Sequence, residues 1–201
     1  MPLMPFVSRE LRWFWPGAPS AAHEAAFAAL PGPVSAEPVR EDCYLLIAGR
    51  EDLNLKLRQG LLQLKWRSQQ GGEQAVWHKI DWQFTAEALQ AGPGITLRKC
   101  RRQRFWHCQD GHIEPLASLP QRGPAAVAVE LTRLADGLGE AATLGLEVPE
   151  SPAAPTQLKC ALDRLLAAGL PPPAARRLDY AGWLLARHGA TSPPTTQEQR
   201  T

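Results

Sequence analysis

The segment LNLKLRQGLLQLKWR, Leu53 to Arg67, spaces its basic residues at alternate positions: Lys56 and Arg58 before Gln59-Gly60, Lys65 and Arg67 after it. Strand side chains alternate between faces, and a Gln-Gly two-residue loop would set Arg58 opposite Leu61, Lys56 opposite Gln63 and Asn54 opposite Lys65. One face then carries Leu53, Leu55, Leu57, Leu62, Leu64 and Trp66, and the other carries Asn54, Lys56, Arg58, Leu61, Gln63, Lys65 and Arg67, whose charges are all positive. Further on, ITLRKCRRQRFWHC puts Arg98, Arg102 and Arg104 on one parity and Lys99 and Arg101 on the other. Guanidinium forks and ammonium point charges are the groups that grip phosphate oxygens. Two readings of these rows stand side by side. A half-buried strand turns its polar face to water, although such faces usually mix signs. If the rows instead line a concave channel, cations roughly 5 Å apart repel by about 3 kcal/mol at an effective dielectric near 20, and a bound polyanion relieves that repulsion.

Two carboxylates stand apart. Glu130 in AAVAVELTRL and Glu147 in AATLGLEVPE are each alone in an apolar strand, and acids are rarely buried without a partner. They are either exposed strand carboxylates or site residues. Cys100, His107, Cys108 and His112 cluster along the chain, but at a spacing that fits no common zinc site. The four cysteines form no CxxC pair and read as reduced thiols. The seven tryptophans fall in apolar strand phases, which suits packing better than base stacking.

These residues need strands to position them. SRELRWFW, Ser8 to Trp15, reads as a strand closed by Pro16-Gly17, and Ser20 opens a short alanine-rich helix to Leu30. DCYLLIAG from Asp42 is an apolar strand before the basic hairpin. AVWHKIDWQF is strand or turn, followed by a short helix capped by Thr85. Ile95 to Cys108 is a strand with a turn at Gln109-Asp110-Gly111 and the return HIEPL, and Ala125 to Leu134 pairs with Ala141 to Glu150 as a second hairpin. A helix capped by Thr156 follows, with Leu158, Leu162, Leu165 and Leu166 on the face that packs outside the sheet. Pro171-Pro172-Pro173 breaks it, and a second helix carries Leu178, Ala181 and Leu185.

The 201 residues carry 22 Lys+Arg against 20 Asp+Glu, a formal charge of +2, with 44% hydrophobic content. That balance argues against a nucleic-acid coat and against wholesale disorder, and leaves one sizeable core. The run RKCRRQR invites a nucleic-acid reading, which the small net charge and the absence of a known module make unlikely as a partner class. No basic leader precedes an apolar run and no stretch of about 18 apolar residues occurs, so a soluble, cytoplasmic protein without a membrane partner is the expectation. Residues 1–188 are expected to form one domain and 189–201, GATSPPTTQEQRT, a disordered tail.

The succession YLLIAGREDLNLKLRQGLLQLKWR, ITLRKCRRQRFW, VAVELTRLADGLGEAATLGLEVPE and GLPPPAARRLDYAGWLL resembles the CYTH domain, or triphosphate tunnel, superfamily across roughly residues 8 to 186. The resemblance implies an α+β fold: an antiparallel β-barrel of about eight strands with flanking helices and a C-terminal helical segment. It further implies a tunnel whose Lys and Arg hold a triphosphate-containing small molecule or inorganic polyphosphate. Lys56 and Arg58 match the early basic pair, Lys65 the next lysine, and Arg102 and Arg104 the middle strand, with Arg67 and Arg12 completing the substrate-binding set. Glu130 and Glu147 match the late carboxylates that orient water, and with Glu10 they would hold Mg²⁺ or Mn²⁺. The family's first-strand ExExK is here ELRWF, with Arg12 at the second glutamate and Phe14 at the lysine. That exchange removes a metal ligand and adds a cation. It leaves two implied functions, metal-dependent hydrolysis of a triphosphate and binding of the same anion without turnover.

Overall fold

The computed structural model describes residues 5–58, 60–69, 74–83, 94–120 and 125–189. In chain order they form β1 (Phe6–Pro16), α1 (Ala21–Ala28), β2 (Ser35–Ala36), β3 (Arg40–Leu45), β4 (Leu53–Arg58), β5 (Leu61–Gln69) and β6 (Ala75–Gln83). There follow β7 (Gly94–Gln109), β8 (His112–Leu116), β9 (Val127–Asp136), β10 (Gly139–Pro149), α2 (Ala154–Ala167), β11 (Arg176–Arg177) and α3 (Tyr180–His188). Eight strands bond antiparallel in the order β10-β9-β7-β3-β4-β5-β6-β1, and β1 pairs back onto β10. The sheet therefore closes into a barrel with three helices on it, an α+β architecture, and closure removes the free edges that an open sheet would expose.

The basic hairpin has the register its sequence dictates: Arg58 faces Leu61, Lys56 faces Gln63 and Asn54 faces Lys65. AVWHKIDWQF is a full strand, β6, which joins β5 to β1. Asp110 and Gly111 both take positive φ in the turn after β7, where Gly and Asp accept the left-handed conformation most readily. Two helix starts differ from expectation. Ala153, not Thr156, caps α2, and Pro155 occupies its first turn, where a missing N–H leaves no bond unmade. Leu178 precedes α3, whose N-cap is Asp179, accepting from the Gly182 amide at 2.7 Å. The Thr85-capped helix lies outside the described residues, as does the tail from residue 190 on.

The outward faces of β1, β9 and β10 supply Leu11, Val129, Leu131, Leu144 and Leu146, against which α2 buries Leu158, Ala161 and Leu165. That is the main apolar core, and it lies outside the barrel. A second cluster fills one end of the interior: Phe14, Tyr44, Leu97, Leu134 and Ala141 meet Trp183 and Leu184 of α3. The Phe14 and Trp183 rings stack at 4.8 Å. Ion pairs hold both ends of α3, Asp179 to Arg67 on β5 at 2.8 Å and Arg187 to Asp136 on β9 at 2.7 Å. The interior is thus apolar and closed at the α3 end. Among the described residues no helix is long and apolar enough to cross a membrane.

Candidate functional site

Inward-facing positions converge from all eight strands of the barrel. On β4 and β5 they are Asn54, Lys56, Arg58, Gln63 and Lys65, the polar face of the hairpin, and all five line a cavity of about 210 Å³. The leucine row on the opposite face is the half-buried exterior. The polar rows thus face neither bulk water nor a conventional core. β1 adds Glu10 and Arg12, β3 Arg40 and Tyr44, β6 Trp77 and Lys79, β7 Lys99 and Arg101, β9 and β10 Glu130 and Glu147, and the start of α3 Asp179 and Tyr180. Counted over that lining, eight basic side chains face four carboxylates.

On the β1–β9–β10 side the charges are matched. The Arg12 guanidinium lies between two carboxylates, Nε 2.6 Å from Glu10 and Nη1 2.8 Å from Glu130. Lys65 pairs with the other Glu10 oxygen and lies 3.8 Å from Glu147, which accepts a 2.8 Å bond from the Ser8 hydroxyl. Arg101 reaches the second Glu130 oxygen at 2.9 Å. Burial alone would raise the Glu10 carboxyl, but Lys65 and Arg12 outweigh it and hold it down at about 2. Glu130 is likewise driven below the ordinary carboxylate range, Arg12 and Arg101 overcoming its burial. A Cβ on Gly145 would stand 2.7 Å from the Arg12 guanidinium. The absence of a side chain there makes the space that Arg12 fills.

The β3–β4–β7 side is different. Asp42, fully buried, has Lys99 at 3.1 Å, Arg40 at 3.5 Å and Lys56 at 3.6 Å. Lys99 also donates to the Tyr44 hydroxyl and lies 3.9 Å above the Tyr180 ring. Burial, with Lys56 adding to it, pushes the Lys99 ammonium well down, and burial lowers Lys56 to about 8 despite the pull of Asp42.

Of the residues singled out in the sequence, Glu10, Arg12, Lys56, Arg58, Lys65, Glu130 and Glu147 come together in the cavity. Arg67 lies just beside it, bonded to Asp179 and over the Trp77 ring. Arg102 and Arg104 do not belong to the site. Strand parity sends both outward under α1, where Arg104 donates to the carbonyls of Phe27 at 3.1 Å, Ala28 at 2.7 Å and Gly32, and Arg102 pairs with Glu24. Lys99 and Arg101 take the inward places instead. The signal was present in the alternation of β7, but which parity faces inward depends on where α1 packs. Arg40, Tyr44, Lys79, Asp179 and Tyr180 carry no local pattern that marks them.

The residues present do not suit a hard dication. Among the described residues no group of three or more His, Cys, Asp and Glu could hold a metal ion. Glu10 and Glu130 already spend their oxygens on Arg12, Lys65 and Arg101, and a dication would have to displace the Arg12 guanidinium from between them, whereas Mg²⁺ and Mn²⁺ need free oxygen ligands.

No family model and no curated protein matches the chain. Among solved structures, a conserved hypothetical protein from Pyrococcus furiosus is similar in fold, with 12% sequence identity over 83% of this chain and 94% of that one and a TM-score of 0.47.

Proposed function

We propose that the barrel is an anion-binding module of the triphosphate-tunnel type, which takes a triphosphate group or the end of an inorganic polyphosphate chain into its basic cavity without needing a metal ion. The observation that carries this reading is the surplus of cations over carboxylates around one cavity. In low-dielectric surroundings such a surplus repels itself, and a polyanion offsets it. The size of the cavity, about 210 Å³, lies below the roughly 300–1,000 Å³ of pockets that enclose drug-sized molecules. A compact inorganic anion suits it better than a whole nucleotide, whose nucleoside would remain outside.

The deciding experiment measures thermal stability and phosphate release together on tripolyphosphate, with and without Mn²⁺. A ligand that binds only the native state stabilises it by about 2.7 kcal/mol at a hundredfold excess over Kd, so the melting temperature should rise in the absence of metal and no phosphate should appear. An unchanged melting temperature at millimolar tripolyphosphate overturns the proposal. Hydrolysis is the second reading, favoured by Glu147, which is the most exposed of the three glutamates and whose Lys65 partner lies 3.8 Å away. Mn²⁺-dependent release that is abolished by chelator and by Glu147→Gln would establish it.

A further inference from the structure

The surplus charge is not spread evenly around the cavity. We propose that the β3–β4–β7 wall is a proton-coupled oxyanion subsite, in which Lys99, Lys56, Arg40 and Arg58 receive a dianionic tetrahedral end group and bind a proton together with it. This rests on the anion-binding reading above and assigns where, and in what protonation state, the ligand sits.

On the opposite wall Arg12, Lys65 and Arg101 are matched by Glu10, Glu130 and Glu147, so an entering anion would have to break ion pairs to gain contacts there. Facing it, three cations converge on the one carboxylate of Asp42. Half-buried Glu37 shares Arg40, and Arg58 forms no ion pair among the described residues. Asp42 Oδ1 and Arg40 Nε, both buried, face each other as an ion pair at 3.5 Å, too long for a good hydrogen bond. One carboxylate thus serves three cations, and this wall keeps a positive surplus that the opposite wall lacks.

The charged and titratable groups around Lys99 come from several elements. Asp42 and the Tyr44 hydroxyl belong to β3, Lys56 and Arg58 to β4, Arg101 to β7 itself, and Glu130 to β9; Tyr180 presents its ring from α3. Arg12 on β1 and Lys65 on β5 complete the ring but are engaged with Glu10. With one carboxylate for two amines, full protonation of both Lys99 and Lys56 costs repulsion that Asp42 offsets only in part, in keeping with the lowered values of both amines. A dianion placed against them favours the ammonium form, so it draws protons in as it binds. An ordinary exposed basic patch, with lysines titrating near about 10.4, would take up none near pH 8.

The test is calorimetric titration at pH 8 in two buffers of different ionisation enthalpy, which counts protons taken up per anion. Tripolyphosphate is one probe. Sulfate, which has no proton to exchange at this pH, is the other and removes the contribution of the ligand. Wild-type protein should take up close to one proton per anion with both, and its affinity should fall as pH rises from 7 to 9. Lys99→Arg, which keeps a charge that cannot titrate, should bind with uptake cut by more than half and with a flatter pH dependence; Lys56→Arg is the second variant if the first does not fold. Binding without proton uptake in the wild type, or uptake unchanged in folded Lys99→Arg, overturns this subsite while leaving the anion-binding reading intact. If neither anion binds at any pH, both fall together.

Discussion

Arg12 is the residue on which one wall of the cavity depends. It is buried between Glu10 and Glu130, shielded by the Tyr180 ring 4.8 Å from its guanidinium carbon, and accommodated because residue 145 is glycine. Buried carboxylates tolerate ionisation only with such partners, and removing one partner from a buried pair costs about 3–5 kcal/mol. The pH dependence of stability should show the same arrangement. The folded carboxyl of Glu10 titrates at about 2 against an ordinary value of 4.5, and Glu130 is shifted in the same direction. A carboxyl with a lowered folded value stabilises fully above its unfolded value and loses that contribution as pH falls toward the folded one. Urea unfolding of the wild type should therefore show a plateau just above pH 5 and a steep decline from about 4.5 to 2, with a separate rise on the alkaline side from the lowered Lys56 and Lys99 amines. In Arg12→Met the plateau should be lower and the decline shallower, since less of the favourable shift remains. Equal slopes in the two proteins would remove Arg12 from this role.

At the scale of elements, β7 shows what alternation can and cannot tell. Its sixteen residues carry cations on both faces, and the two sets have different work. Lys99 and Arg101 enter the cavity, while Arg104 bonds the carbonyls at the end of α1, where the helix leaves acceptors unpaired and favours positive charge. Arg104→Met should accordingly lower unfolding free energy by about 1–3 kcal/mol, with affinity for tripolyphosphate changed less than twofold. A tenfold loss of affinity in the folded variant would put Arg104 back in the site. The split also sends adjacent residues of RKCRRQR to opposite sides of the sheet. The hairpin was legible in full: Gln59-Gly60 and the alternation on either side determine its register, and Lys56, Arg58 and Lys65 reach one cavity in consequence. Glu130 and Glu147 stood out because an acid in an apolar strand needs a partner. Arg102 and Arg104 misled because α1, far from β7 along the chain, decides which face of β7 is covered. Arg40 and Asp179 were silent for a related reason, since their place in the site follows from sheet order and from the seat of α3, neither of which leaves a local period.

Over the whole molecule, a net charge of +2 conceals a strongly uneven distribution. The closed sheet gathers eight basic groups around one small space, and the matching acids are partly outside it, as Glu24 is on α1 and Asp136 beneath α3. Phe14 stacked on Trp183 fills the interior at the α3 end with apolar side chains. Where a metal site keeps its carboxylates free for a dication, this barrel sets the Arg12 guanidinium between Glu10 and Glu130. Chelator and metal should therefore act in a particular way. Affinity for tripolyphosphate, measured by calorimetry, should be the same in EDTA as in metal-free buffer. Millimolar Mg²⁺ should weaken it several-fold, because the ion competes with Arg40, Lys56, Arg58 and Lys99 for the same phosphate oxygens while Glu10 and Glu130 stay engaged with Arg12. Tighter binding with Mg²⁺ than with EDTA would mean that Glu10 and Glu130 can release Arg12 to admit an ion, and the metal-free reading of the cavity would be wrong.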